Sequence, residues 1–277
     1  MLKIDAHQHF WQFDPVRDAW ITPAMAAIRR DFRPADLAPL LQRHGFAGCV
    51  AVQASQAEAE TEFLLGLAAA HDFIRGVVGW VDLRAANVAE RLAYYRQFGV
   101  LKGFRHILQG EADRALMLTP EFRRGIGALA EHGFTYDLLI QPDQLPFAAQ
   151  LAAAFPRQRF VVDHLAKPYI KAGEIMPWVK DLRELAALGN VSCKVSGLVT
   201  EADWHRWQPT NFRPYLDAAF EAFGPQRLLY GSDWPVCEVA GGYGPALSVV
   251  EAYLNGFSAE EQARFWGGNA TAFYGLE

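Results

Sequence analysis

The chain has 277 residues, of which 51% are hydrophobic and 21% charged, an ordinary balance for a folded enzyme and far from a disordered composition. That length suits one barrel-sized domain, and a formal net charge of −5 offers no basic face for nucleic acid. Three widely spaced cysteines, Cys49, Cys193 and Cys237, exclude a disulfide framework and a zinc–thiolate site.

Taken in order, short β-rich runs alternate with longer helical stretches. The first strand is expected over 3–9, where alternate side chains share a face. Lys3, Asp5, His7 and His9 are then expected on one face, with Ile4, Ala6 and Gln8 on the other. Two imidazoles two residues apart point together and can hold one divalent ion or one water. The plainer reading is a pair of histidines at a strand end, each satisfied by a neighbour. Further strands are expected over 48–55, 74–83, 101–108, 135–141, 159–166, 191–198 and 227–233. Helices are expected over 34–44, 58–71, 86–97, 120–132, 144–154, 177–187 and 211–222. Gly45, Gly99, Gly133 and Gly189 stand where C-terminal helix glycines belong, and Pro34 and Pro120 where a first-turn proline is tolerated. Eight apolar strands with intervening helices predict an α/β fold, a single-domain (β/α)8 TIM-type barrel spanning 1–277. A doubly wound open sheet is disfavoured by the strand count and by the lack of a glycine fingerprint after the first strand.

The first residues lack the basic, apolar and cleavage regions of a secretory leader, and no apolar run reaches the ~20 residues needed to span a membrane. A reducing cytoplasm is the expected compartment, with neither membrane nor nucleic acid as a partner. Oligomeric state is left open.

In such a barrel the active site lies at the C-terminal ends of the strands. Polar residues cluster there: His7 and His9; Arg105 and His106; Asp163 and His164, adjacent and so expected on opposite faces; Lys194 and Ser196; and Asp233. Each has a plainer reading alone. Asp163 could pair with Lys167, Asp233 could cap a helix, and Lys194 could be a core lysine paired with Asp5 or Asp137. Jointly they suit hydrolysis by an activated water, with imidazoles and a carboxylate able to hold an ion. A carboxylate beside the water serves as general base, and Arg105 supplies fixed positive charge for an oxyanion.

His-Gln-His on the first strand, Val-Asp-His-Leu-Ala-Lys-Pro around His164 and Tyr-Gly-Ser-Asp-Trp-Pro around Asp233 together resemble the amidohydrolase superfamily. Within it, the opening His-Gln-His-Phe-Trp, the Lys-Gly-Phe-Arg-His segment and the closing Gly-Gly-Asn-Ala-Thr-Ala-Phe-Tyr are similar to the amidohydrolase-2 branch, which contains sugar lactonases. The resemblance implies that His7, His9 and Asp233 are metal ligands, that His164 orients the water or polarises the carbonyl, and that Asp233 activates the water. Many metal-bearing members carry a ligand at the end of the fifth strand, where this chain has only Gln141, with Asp137 lower on the same face. One divalent ion, zinc first, is therefore expected to be weakly held or dispensable.

A lactone needs less activation than an amide, which suits a site without a full metal set, and the resemblance implies a small-molecule sugar lactone, a 6-deoxy aldonolactone with L-fuconolactone first. His106, Lys194, Trp80, Trp204 and Trp234 are expected to bind it, with Asp233, His164 and Arg105 catalytic. Trp207 is either a pocket wall or packing, and Trp11 and Trp20 are placed to form a lid. A dicarboxylate or muconate-type lactone, which would want two or more pocket cations, ranks lower. A metal-dependent decarboxylase ranks third, and a barrel that binds a sugar acid without turning it over is the alternative from another class.

Overall fold

In the computed structural model, which describes residues 2–277, short apolar runs pair in parallel in the order in which they occur along the chain. The strands are β1 (Lys3–Gln8), β2 (Phe46–Val52), β3 (Ile74–Gly79), β4 (Leu101–His106), β5 (Thr135–Leu138), β6 (Phe160–Val162), β7 (Val191–Val195) and β8 (Leu228–Tyr230). Together they form one eight-stranded sheet. It closes on itself where Gln8 bridges Trp234 and the Asp233 amide donates to the His7 carbonyl at 2.9 Å. Between successive strands run α1 (Pro34–His44), α2 (Glu58–Ala70), α3 (Val88–Tyr95), α4 (Pro120–His132), α5 (Leu145–Ala154), α6 (Trp178–Ala186) and α7 (Arg213–Phe223). After β8 come α8 (Tyr243–Leu254), α9 (Ala259–Ala263), a π-helical turn (Arg264–Gly268) and α10 (Asn269–Tyr274). The fold is the (β/α)8 barrel that the alternating pattern predicts.

Local signals explain most helix ends. Pro34 and Pro120 open α1 and α4, and Gly45 and Gly133 close them in the left-handed conformation at φ 71° and 77°. Gly99 and Gly189 do not play that part. Their helices stop earlier, at Tyr95 and Ala186, and a turn intervenes. Most strands also stop short of their expected C-terminal ends. The polar residues past each end turn away to reach the next helix and build the rim.

Two apolar layers hold the barrel. Outside, the helices pack on outward strand residues such as Cys49, Val77 and Phe104. Inside, Ile4, Ala6, Val50, Val52, Val78, Val161 and Leu229 cluster with Ala270, Phe273, Tyr274 and Leu276. The segment 270–276 thus plugs the N-terminal mouth, leaving the C-terminal rim for chemistry. Among the described residues, no helix is long and apolar enough to cross a membrane.

Candidate active site

The pairing of β1 with β2 shifts register between Asp5 and Gln8. Such an irregularity breaks the two-residue alternation of a strand. Ala6 lies among the interior residues, whereas Asp5 turns outward to accept from the Ser232 amide (2.9 Å) and the Tyr243 hydroxyl of α8 (3.2 Å). The expected face shared by Asp5, His7 and His9 is therefore corrected: only the two histidines enter the barrel. Their Nε2 atoms lie 3.2 Å apart. His9 Nδ1 lies 2.7 Å from the Val52 carbonyl, which can only accept, so the proton sits on Nδ1 and Nε2 is bare. Gly231 on the β8 edge makes room for this packing, since a Cβ there would fall 2.5 Å from the His7 Cβ.

After β6 the chain does something that alternation does not foresee. His164, Leu165, Ala166 and Lys167 all adopt positive φ, between 52° and 57°. Four consecutive non-glycine residues in this region are strained, a condition that clusters at functional sites. The left-handed turn swings His164 inward beside Asp163 instead of to the opposite face. Its Nδ1 rests 2.9 Å from Ser196 Oγ, and its Nε2 lies 3.9 Å from Asp233 Oδ1. Asp233 is itself at φ 56°. The same Oδ1 lies 3.5 Å from His9 Nε2 and 3.9 Å from His7 Nε2, so three imidazoles surround one carboxylate.

Electrostatics keep this set in a useful charge state. Burial holds the His7 imidazole well below its usual range and lowers His164 to about 4, so both are neutral at pH 7. Burial alone would raise the Asp233 carboxyl, but the surrounding imidazoles, His164 first, outweigh it and hold it far below the usual carboxylate range.

Beneath the histidines lies a buried ionic layer. Arg105 Nη1 donates to Asp163 Oδ2 at 3.0 Å and stands 3.3 Å from His7 Nε2. Its Nη2 donates to the backbone and side-chain oxygens of Gln53. Lys194 Nζ binds Asp137 Oδ2 at 2.6 Å and Asp163 Oδ1 at 3.0 Å, and Tyr274 donates to Asp137 from below at 2.8 Å. Burial pushes the Asp137 carboxyl up to about 6, whereas at Asp163 the same penalty is overcome by Lys194, His7 and Arg105.

Several expected substrate contacts are placed elsewhere. Lys194 has no exposed surface and is engaged by Asp137, Asp163 and His7, so it serves the floor of the site. His106 follows inward-facing Arg105 on β4 and so faces outward, edge-on to Phe122 of α4. Both its nitrogens are engaged, one 3.4 Å from the Trp80 indole nitrogen and the other 2.7 Å from Glu111. Trp234 is buried edge-on between Phe10 and Phe32, a core residue rather than a pocket wall. Trp80 and Trp204 remain half-buried at the rim. Trp207 donates to the Ala240 carbonyl, and Trp11 is buried with exposed Trp20 edge-on to it. Gln141 leads into a 3-10 turn, its amide on Gln144 Oε1. Asp163 pairs with Arg105 and Lys194, while Lys167 pairs with Glu201.

The donor set fits a cation. Ligand atoms of His7, His164 and Asp233 all lie within 4.8 Å of one another, with the bare His9 Nε2 beside them. Two nitrogens bound at about 2.0–2.1 Å in a tetrahedral zinc site would stand about 3.3 Å apart, close to the His7–His9 separation. His164 thus joins the expected ligands His7, His9 and Asp233. The sequence reading passed over Gln53, and gave Asp163 and Asp5 only plainer pairings with Lys167 and Lys194. Gln53 carried a visible signal, as a polar residue closing the apolar run of β2.

Comparison with known proteins agrees with this geometry. The family described as Amidohydrolase matches residues 4–276. A Burkholderia multivorans protein named L-fucono-1,5-lactonase is 43% identical over 286 residues, covering 99% of this chain and 96% of the relative. Its namesake from Burkholderia ambifaria is 40% identical over 281 residues, with the same coverage of 99% and 96%. The crystal structure of an amidohydrolase from Burkholderia multivorans with bound zinc shares 43% identity, covers 100% of both chains and has a TM-score of 0.96. Along nearly its whole length, the chain belongs to the amidohydrolase family.

Proposed function

We propose that this protein hydrolyses a sugar-acid lactone, with L-fucono-1,5-lactone the first choice. The observation that carries the reading is the ionised Asp233 ringed by three imidazoles, in a chain 43% identical to a protein named L-fucono-1,5-lactonase. In this mechanism Asp233 takes a proton from water, which attacks the lactone carbonyl. The oxyanion is stabilised by His164 and by the fixed positive charge of Arg105, and Asp233 returns the proton to the departing ring oxygen. Trp80 and Trp204 offer apolar faces to the C–H surface of the sugar.

The cation that best suits imidazole nitrogens and one carboxylate is zinc, held by His7, His164 and Asp233 with His9 beside them. When bound it supplies polarisation of the carbonyl and a lowered water pKa. We take it to be weakly held or dispensable, because β5 contributes no ligand to the cluster and Arg105 competes for His7 Nε2. Three free, buried cysteines support a cytoplasmic setting.

A dicarboxylate lactone is less well served. It would need Arg105 and Lys194 as free cations, and both are occupied by buried carboxylates. The test is a pH-indicator hydrolysis screen over aldonolactones and dicarboxylate lactones, with and without chelator. Turnover of L-fucono-1,5-lactone or a close 6-deoxy relative is expected; turnover confined to dicarboxylate lactones overturns the choice.

A further inference from the structure

Trp80 is the first residue after β3, and each of its polar atoms is held. Thr61 Oγ1 of α2 accepts from its amide at 2.7 Å and donates to its carbonyl at 2.8 Å. Its indole Nε1 donates to His106 Nδ1 at 3.4 Å. Gly79 before it faces α2, where a Cβ would fall 2.7 Å from the Thr61 hydroxyl, so alternation turns Trp80 toward the mouth of the barrel. Yet among the described residues Trp80 does not pack on the apolar core, as the half-buried Trp204 and Trp207 do. An indole pinned by its edge and bare on its face is suited to meet a ligand rather than to fill space.

The two partners of His106 leave its ring one proton arrangement. An indole N–H only donates, so Nδ1 is bare; the Glu111 carboxylate only accepts, so Nε2 carries the proton, 2.7 Å away. Burial lowers the His106 pKa, which keeps the ring neutral at pH 7. The bond to charged Glu111 is the short and strong one, and the indole bond is the long one. Glu111 therefore does the orienting. In the other tautomer, Nδ1–H would meet the indole N–H head-on. Phe122 of α4 stands edge-on to the imidazole and holds its plane.

We propose that Glu111 and His106 are positioning residues for substrate binding, which fix the Trp80 indole as the platform for the C–H face of the lactone. The inference rests on the lactonase reading for its ligand, but not for its hydrogen bonds. His106 faces away from the histidine cluster, so the pair serves capture of the substrate and leaves the chemistry at Asp233 alone.

The test has a substrate-free arm and a kinetic arm. Indole nitrogen-15 spectra, with the Trp80 signal assigned by Trp80→Phe, are expected to show its N–H shifted downfield and slow to exchange with water. His106→Leu and Glu111→Ala should move that signal back and speed its exchange. Glu111→Gln, whose amide oxygen still accepts from Nε2–H, should keep it near the wild-type position. In hydrolysis of L-fucono-1,5-lactone, His106→Leu and Glu111→Ala are expected to raise KM by about 3- to 10-fold, the scale of an aromatic contact, with kcat within about 2-fold of wild type. Glu111→Gln should restore the wild-type KM. That split marks lost binding, whereas a loosened fold would lower kcat as well. Glu111 is partly exposed, so Glu111→Ala carries the test even if His106→Leu does not fold. Trp80→Phe/His106→Leu should be no worse than Trp80→Phe, because His106 acts only through the indole. A Trp80 N–H that exchanges freely in wild type, a KM unmoved by Glu111→Ala, or additive losses in the double variant overturns the proposal. If the wild type opens no lactone, the proposed reaction fails, while the spectra still decide whether His106 and Glu111 hold the indole.

Discussion

His7 and His9 aim their Nε2 atoms at each other across 3.2 Å, and the His9 nitrogen has no proton of its own because its Nδ1–H is given to Val52. That closeness is relieved by a shared proton or a shared cation. Zinc is accordingly expected to raise the melting temperature of chelator-treated protein. At 100-fold excess over Kd the gain is about 2.7 kcal/mol, or roughly 5–10 °C for a chain of this size. His9→Ala should lose most of that shift in a thermal-melt titration, while His106→Gln should keep it.

Asp233 is the residue whose removal should stop the reaction without unfolding the protein. Asparagine tolerates the left-handed backbone at φ 56° nearly as well as aspartate does. Asp233→Asn is therefore expected to fold normally by circular dichroism and to lower kcat by about 10³-fold, the scale of a lost general base. Unchanged hydrolysis would restore the alternative of a barrel that only binds its sugar acid.

The left-handed turn yields a stability comparison. Ala166 sits at φ 57°, a conformation costing roughly 1–2 kcal/mol for a residue with a Cβ. Ala166→Gly relieves that strain, at an entropic cost of roughly 0.5–1 kcal/mol, and should be close to neutral or stabilising in urea melts. Ala148→Gly, in the helical interior of α5, has no strain to relieve and should lose about 1 kcal/mol or more.

His106 gives a pH signature clear of the cluster. Burial lowers its pKa below the ordinary 6.5, although Glu111 partly opposes this. Below pH 6.5 the unfolded chain then binds the proton more readily than the folded one. Its share of stability is complete above that pH and is lost as the pH falls. The stability difference between wild type and His106→Gln, from urea midpoints at a series of pH values, should be constant above pH 7. It should then fall toward pH 5, by no more than about 1.4 kcal/mol per unit for one proton.

The strand order and the four residues at the heart of the site were legible because apolar runs alternate with helices, and because polar residues at strand ends have no packing reason to be there. What the sequence concealed was orientation. Period-two alternation excludes Arg105 and His106 from one face, and the structure obeys it. Applied to Asp163 and His164 the same rule fails, since no glycine announces the left-handed turn. On β1 a register shift sends Asp5 outward and Ala6 inward. The pairing of Asp163 with Arg105 was hidden by the first failure, and the structural use of Asp5 by the second. Lys194 was misassigned for a different reason: a lysine near a rim reads as available until its carboxylate partners are seen.

Tyr274 reaches Asp137 across 137 positions of sequence, and Asp137 in turn holds Lys194. The floor of the reactive centre is thus completed by a residue that follows all eight strands in the sequence. A nascent chain that has made all eight strands still lacks this keystone. Catalytic competence therefore arrives only after the barrel wall has been laid down, and a protein cut off before Tyr274 would admit water under its charged layer.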